Sequence, residues 1–143
     1  MADAANGSVA PARPLPETDV VTAPFWEAAK RHELSLQRCR AGDHRFMYPR
    51  IFCPVCYSDD LEWAPVSGKG RVYTFTVVHQ AGHPFFQAQV PYVFAVVQLD
   101  EGPRMYTNIV EIDPDDVQVD MRVEAVFDDV TDDVTLVKFR PAS

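Results

Sequence analysis

The stretch Cys39-Arg40-Ala41-Gly42-Asp43-His44, followed by Cys53-Pro54-Val55-Cys56, decides how this chain folds. Residues 39 to 63 hold all three cysteines of the sequence, two prolines in tight positions (Pro49 and Pro54) and few core-size aliphatic residues. Apolar burial cannot hold such a segment together, so another force must pin it. Cys53-x-x-Cys56 places two thiolates on one tight turn, and Zn²⁺ takes four sulfur or nitrogen ligands in a tetrahedron. Cys39, on an opposing knuckle, supplies a third ligand. A fourth cysteine would be expected at position 42, where the chain has glycine. His44 is the first substitute, because an imidazole nitrogen binds zinc directly; Asp43 is the second and water the third. Two alternatives stand beside this reading. Cys53 and Cys56 could form a redox pair, although no βαβ pattern surrounds them, or the site could be degenerate and hold no metal. A closed set of four ligands has no open position for substrate, so zinc here is expected to be structural.

Moving toward the C-terminus, the texture changes after Ser67-Gly68-Lys69-Gly70. The run RVYTFTVVH is β-branched and aromatic, the signature of a strand. Further runs follow at 91–99, 104–112, 122–127 and 134–139, punctuated by Gly, Pro and Asp turns. Five short strands with no second long helix predict a small β-barrel, and five is the count of an OB-fold. Alternation from Val72 places Tyr73 and Phe75 on one face, read as the barrel core.

Toward the N-terminus, Pro24 suits a first helical turn, and Phe25, Trp26, Ala29 and Leu34 fit an apolar stripe over about 23–33. Leu34, Leu36 and Arg38 alternate with polar neighbours as a short strand entering Cys39. The expected organisation is a disordered lead-in over 1–17, a helix and metal-binding segment over 18–66, and the barrel over 67–143. The fold class is mainly β.

Composition narrows the function. Thirteen basic against twenty-one acidic residues give a net charge of −8, the wrong sign for a protein that tracks phosphate backbones. Ten acids between 111 and 133 face the single base Arg122, a solvated face. A local excess of bases (Lys30, Arg31, Arg38, Arg40, Arg45 and Arg50) suits one acidic partner surface or the phosphates of coenzyme A. No apolar run approaches the length of a membrane span. The first residues lack the charged and apolar regions of a secretory signal. With an odd number of cysteines, a reducing, cytoplasmic setting is expected.

In order and spacing, FWEAAKRHELSLQRC, PRIFCPVC, DLEWAPVSGKGRVYTFTVVH, PYVFAVVQLDEG and the terminal FRPA resemble the DUF35 proteins. The resemblance runs from about Pro24 to Ala142. It implies an N-terminal helix, a rubredoxin-like zinc ribbon and a C-terminal OB-fold. The family pattern has Cys-x-x-Cys twice; Cys39, Cys53 and Cys56 fall on three of the four positions, and Gly42 falls on the fourth. The resemblance also implies a hetero-oligomeric subunit of a larger thiolase-fold enzyme, less often of a hydratase or aldolase, acting on acyl-CoA. Such pairs serve the degradation of sterol side chains and aromatic compounds and occur in archaeal thiolase complexes.

No nucleophile with a base and an orienting group is legible outside the cysteines, so independent catalysis is not expected. Lys69, Arg71, His79, His83 and Arg104 are candidates for contacts to coenzyme A or substrate at the partner interface. Phe25, Trp26, Phe46, Met47, Tyr48 and Phe52 are candidate docking anchors. The rival reading is a nucleic-acid-binding OB module. The expectation is a non-catalytic accessory subunit, with neither nucleic acid nor membrane among its partners.

Overall fold

The computed structural model describes residues 12–143. Most of the lead-in therefore lies outside the described residues, and residues 12–17 carry no regular structure. Helix α1 spans Ala23–Lys30, with Pro24 in its first turn and Asp19 Oδ1 accepting from the Thr22 N–H at 2.8 Å. It stops short of the expected 33 because His32 turns left-handed (φ 60°). The N–H groups of His32 and Glu33 then close onto the carbonyls of Ala29 and Ala28. The His32 ring stacks on Phe127, with centroids 5.3 Å apart, and its Nε2 lies 3.0 Å from Asp129. These partners hold a conformation that a non-glycine residue rarely adopts.

Three short strands follow: β1 (Ser35–Cys39), β2 (His44–Phe46) and β3 (Leu61–Pro65), in the antiparallel order β2-β1-β3. Leu34 and Leu36 join the main core, whereas Cys39, Phe46 and Cys53 form a small cluster of their own with Leu61 against it. The ribbon is thus packed into the barrel at one end and has almost no apolar core at the other. Buried Gln37 bridges the two ends. Its side-chain amide donates to the Arg50 carbonyl (2.8 Å) and accepts from the Arg50 N–H (2.7 Å), as a strand neighbour would.

Strands β4 (Lys69–Val78), β5 (Tyr92–Leu99), β6 (Arg104–Ile109), β7 (Arg122–Asp129) and β8 (Thr135–Pro141) close a barrel in the order β4-β5-β6-β8-β7. That is a five-stranded OB-fold. The expected Ala81–Pro84 turn runs on into a short helix, α2 (Pro84–Gln87), capped by His83. Only one pair, Ile109↔Phe139, joins β6 to β8, and it is parallel, so the barrel is nearly open along this seam. Val72, Val93, Val97, Val123 and Phe139 fill the interior. Among the described residues no helix is long and apolar enough to cross a membrane.

One expectation about the strands fails. A register shift between Val72 and Thr74 marks a bulge at Tyr73. Val72 and Phe75 therefore face the same interior, while Tyr73 is thrown outward beneath the Arg104 guanidinium, 3.7 Å from its ring centroid. Phe94 and Tyr106 also lie outside. The aromatic face of the sheet is not the core.

Phe139 is fully buried where α1, β7 and the weak β6–β8 seam meet. Phe139→Ala should destabilise the chain by about 3–5 kcal/mol. Urea denaturation would show this as a lowered midpoint with unchanged slope.

Candidate metal centre

Two knuckles face each other at the far end of the ribbon. The first follows β1: the Asp43 N–H donates to the Cys39 carbonyl at 2.7 Å. The second is Cys53–Tyr57, where the Tyr57 N–H donates to the Cys53 carbonyl at 2.9 Å. One ligand atom from each of Cys39, His44, Cys53 and Cys56 lies within 4.8 Å of all the others. Cys39 Sγ is 3.5 Å from Cys56 Sγ, and Cys53 Sγ is 3.5 Å from His44 Nδ1. The edges of a zinc tetrahedron with ~2.3 Å sulfur bonds are about 3.8 Å long, so the four donors fit the ion. Three thiols and one imidazole, with no carboxylate, are also the right chemistry for it. A bare Cys53–Cys56 redox pair would not require Cys39 and His44 at the same point.

Asp43, the second choice for the fourth ligand, drops out. Its carboxylate accepts from Arg38 Nε at 2.6 Å, and it is not one of the converging donors. Cys39 and Cys53 are buried and Cys56 is exposed, so the site sits just beneath the surface. Burial opposes ionisation of Cys53, yet the N–H groups of Cys56 and Val55, with the Cys56 and His44 side chains, outweigh it and bring the thiol down to about 6. The Ser58 N–H favours the Cys56 thiolate, but the Cys39 sulfur, burial and Cys53 together push this thiol upward. Bound zinc would cross-link the two knuckles and leave no position for substrate.

The remaining candidates do not converge. Arg71 pairs with Gln98 and Gln98 with Arg104, so two arginines flank one glutamine on the outer face of β4–β6, and Lys69 lies at the start of the same strand. His79 follows the opposite end of β4, roughly 25 Å from Arg71 along the strand. His83 serves the local fold, since its Nδ1 accepts from the Phe85 N–H at 3.0 Å and caps α2. The basic cluster near the ribbon is neutralised in part. Arg38 bonds Asp43 and Glu62, and Arg40 bonds Asp60. Two of these acids, Asp60 and Glu62, come from around β3, a strand without a mark in the residue pattern. Among the expected anchors, Phe25 and Phe46 are buried, while Tyr48 and Phe52 remain exposed.

An apolar groove of about 350 Å³ was not foreseen. It follows the β6–β8 seam beneath Trp26, Met47, Tyr48, Phe94 and Tyr106. Tyr48 Oη accepts from the Tyr106 N–H at 2.8 Å, joining the ribbon loop to the open edge of β6. The sparse β6–β8 pairing opens the groove, and it leaves no mark in residue alternation.

Elemental analysis should find close to one zinc per chain, and Cys53→Ser should find far less. Cobalt uptake by the metal-free chain should weaken as pH falls through about 6, where Cys53 takes up its proton.

Known proteins share these features. Residues 26–62 match the family described as "ChsH2, rubredoxin-like zinc ribbon domain", and residues 63–128 match "ChsH2, C-terminal OB-fold domain". A "Probable enoyl-CoA hydratase alpha subunit" from Thermomonospora curvata is 39% identical over 91% of this chain, which spans only 40% of that relative's length. A "DUF35 domain-containing scaffold protein" from Methanocaldococcus jannaschii is 38% identical over 80% of this chain and 82% of its own. The "Benzoylsuccinyl-CoA thiolase subunit BbsA" of Geobacter metallireducens is 34% identical over 50% of this chain and 47% of its own. A solved "Ltp2-ChsH2(DUF35) aldolase" chain superposes with a TM-score of 0.81 at 38% identity, covering 90% of this chain and 99% of that one. With zinc ribbon, OB-fold and extended sequence identity in agreement, the chain belongs to the DUF35 family.

Proposed function

We propose that the chain is a non-catalytic accessory subunit that docks on and activates a thiolase-fold enzyme acting on acyl-CoA thioesters. The observation that carries this reading is the groove at the ribbon–barrel seam. Tyr48, Phe94 and Tyr106 cluster there, with neighbouring ring centroids 5.7 Å apart, and all three are more than 40% exposed. Aromatic rings around an apolar depression are what the core of a protein interface needs. The names of relatives support the enzyme class, since one is a thiolase subunit.

In this reading the partner supplies the reacting groups. This chain excludes water beside the acyl-CoA channel and orders partner loops, so that the partner's nucleophile and oxyanion donors keep productive geometry. Arg71 and Arg104, with Lys69, present positive charge for the phosphates of coenzyme A. His79 and His83 are assigned to substrate or partner contacts at the opposite end of β4.

Specific observations favour a second reading, an accessory subunit of an acyl-CoA hydratase or aldolase. The Thermomonospora relative is named for a hydratase and the solved chain for an aldolase. A nucleic-acid module is disfavoured by the net charge of −8, although the outward aromatics would offer stacking surfaces.

Co-expression with the thiolase-fold enzyme encoded nearest to this chain should yield a stable complex that is more active than the enzyme alone. Phe94→Glu and Tyr106→Glu should each weaken that complex by about tenfold or more in size-exclusion or pull-down measurements, with zinc content unchanged. Capture of a neighbouring hydratase or aldolase instead would establish the second reading. A chain that remains monomeric with all three enzyme types would refute both.

A further inference from the structure

The two knuckles are built alike down to single hydrogen bonds. In each, the cysteine carbonyl accepts from the N–H four residues on, and the residue making that bond is left-handed: Asp43 at φ 56° and Tyr57 at φ 62°. By this correspondence Gly42 occupies the position that Cys56 holds in the second knuckle. The first knuckle therefore keeps the geometry of a Cys-x-x-Cys turn while lacking its second sulfur.

Glycine at 42 is not there for its backbone. Its φ lies outside the left-handed region, unlike Gly68 and Gly102, so any L-residue could adopt it. Space is what forbids a side chain. A Cβ added to Gly42 would collide with the edge of the His44 imidazole, overlapping Cε1 and lying 2.7 Å from Nδ1. The His44 ring thus fills the volume into which a cysteine at 42 would project, and its Nδ1 is 3.5 Å from Cys53 Sγ.

We propose that Gly42 and His44 form a compensating pair, in which the imidazole binds the metal through Nδ1 from the place that a cysteine side chain at 42 would take and requires glycine two residues earlier to fit. The two arrangements exclude each other. Cysteine at 42 needs the His44 ring displaced, and the ring in its present place leaves no room for a side chain at 42. The exchange leaves the site with three thiolates and a neutral imidazole, one unit less negative than four thiolates. This inference rests on the zinc-ribbon geometry and is independent of what the chain docks on.

The test is cobalt(II) binding by the full chain, read by ligand-field and charge-transfer absorption and by chelator competition. The unmutated chain should show three thiolates and one nitrogen. His44→Ala should lower affinity about tenfold or more. Gly42→Cys combined with His44→Ala should recover most of that loss and add the charge-transfer intensity of a fourth thiolate. Gly42→Cys alone should bind no more tightly than the unmutated chain, because sulfur and ring compete for one position. The pair is refuted if His44→Ala keeps full affinity and an unchanged spectrum. It is equally refuted if the double variant, folded by circular dichroism, binds no better than His44→Ala. Zinc X-ray absorption of the unmutated protein gives an answer free of any folding defect. Three sulfurs with the outer-shell scattering of an imidazole are expected, and the absence of ring scattering overturns the proposal.

Discussion

Three sulfurs and one imidazole nitrogen meeting beneath the surface form the interaction on which the outer half of the ribbon depends. Around them the apolar contribution is small: Cys39, Phe46 and Cys53, with Leu61 beside them. Burial of so little surface cannot offset the conformational entropy of fixing roughly twenty residues, at ~1–2 kcal/mol each for the backbone alone. Metal coordination can, because its free energy becomes folding free energy when the ligands converge only in the folded chain.

The consequences pass inward along named contacts. The second knuckle closes the loop that follows β2, and Gln37 holds the backbone of that loop at Arg50. The held loop presents Met47 and Tyr48 to the barrel, where Tyr48 takes the otherwise unpaired N–H of Tyr106. Since β6 and β8 share a single parallel pair, this hydroxyl is one of the few groups that cover the seam. The groove is therefore a joint product of the two folding units. Its floor is barrel, its wall is ribbon and α1, and only together do they form an apolar surface fit for a partner.

Much of this was legible from residue types and spacing. The Cys-x-x-Cys turn, the earlier Cys39 and the nearby His44 constrain a tetrahedral site because metal geometry is local and strict. The five barrel strands announce themselves through β-branched residues between Gly, Pro and Asp turns. What escaped depends on long-range pairing. The bulge at Tyr73 inverts the alternation read from Val72, since one extra residue moves everything after it to the other face. Strands β2 and β3 carry no clear alternation because they are short, three and five residues, and their ladder partner is β1 alone. Asp43 has the chemistry of a ligand, but Arg38, five residues away, holds its carboxylate instead. Arg71 and Arg104 lie far apart in sequence, and only strand register sets them on either side of Gln98.

The central claim is that the metal organises the ribbon and, through it, the seam of the barrel. Hydrogen–deuterium exchange on the full chain, with and without a zinc chelator, tests this most directly. The account predicts that removing the metal speeds exchange across 39–57 and at Tyr106, while β4, β5 and β7 stay protected. Unchanged protection across both knuckles, or uniform loss of protection throughout the barrel, would contradict it.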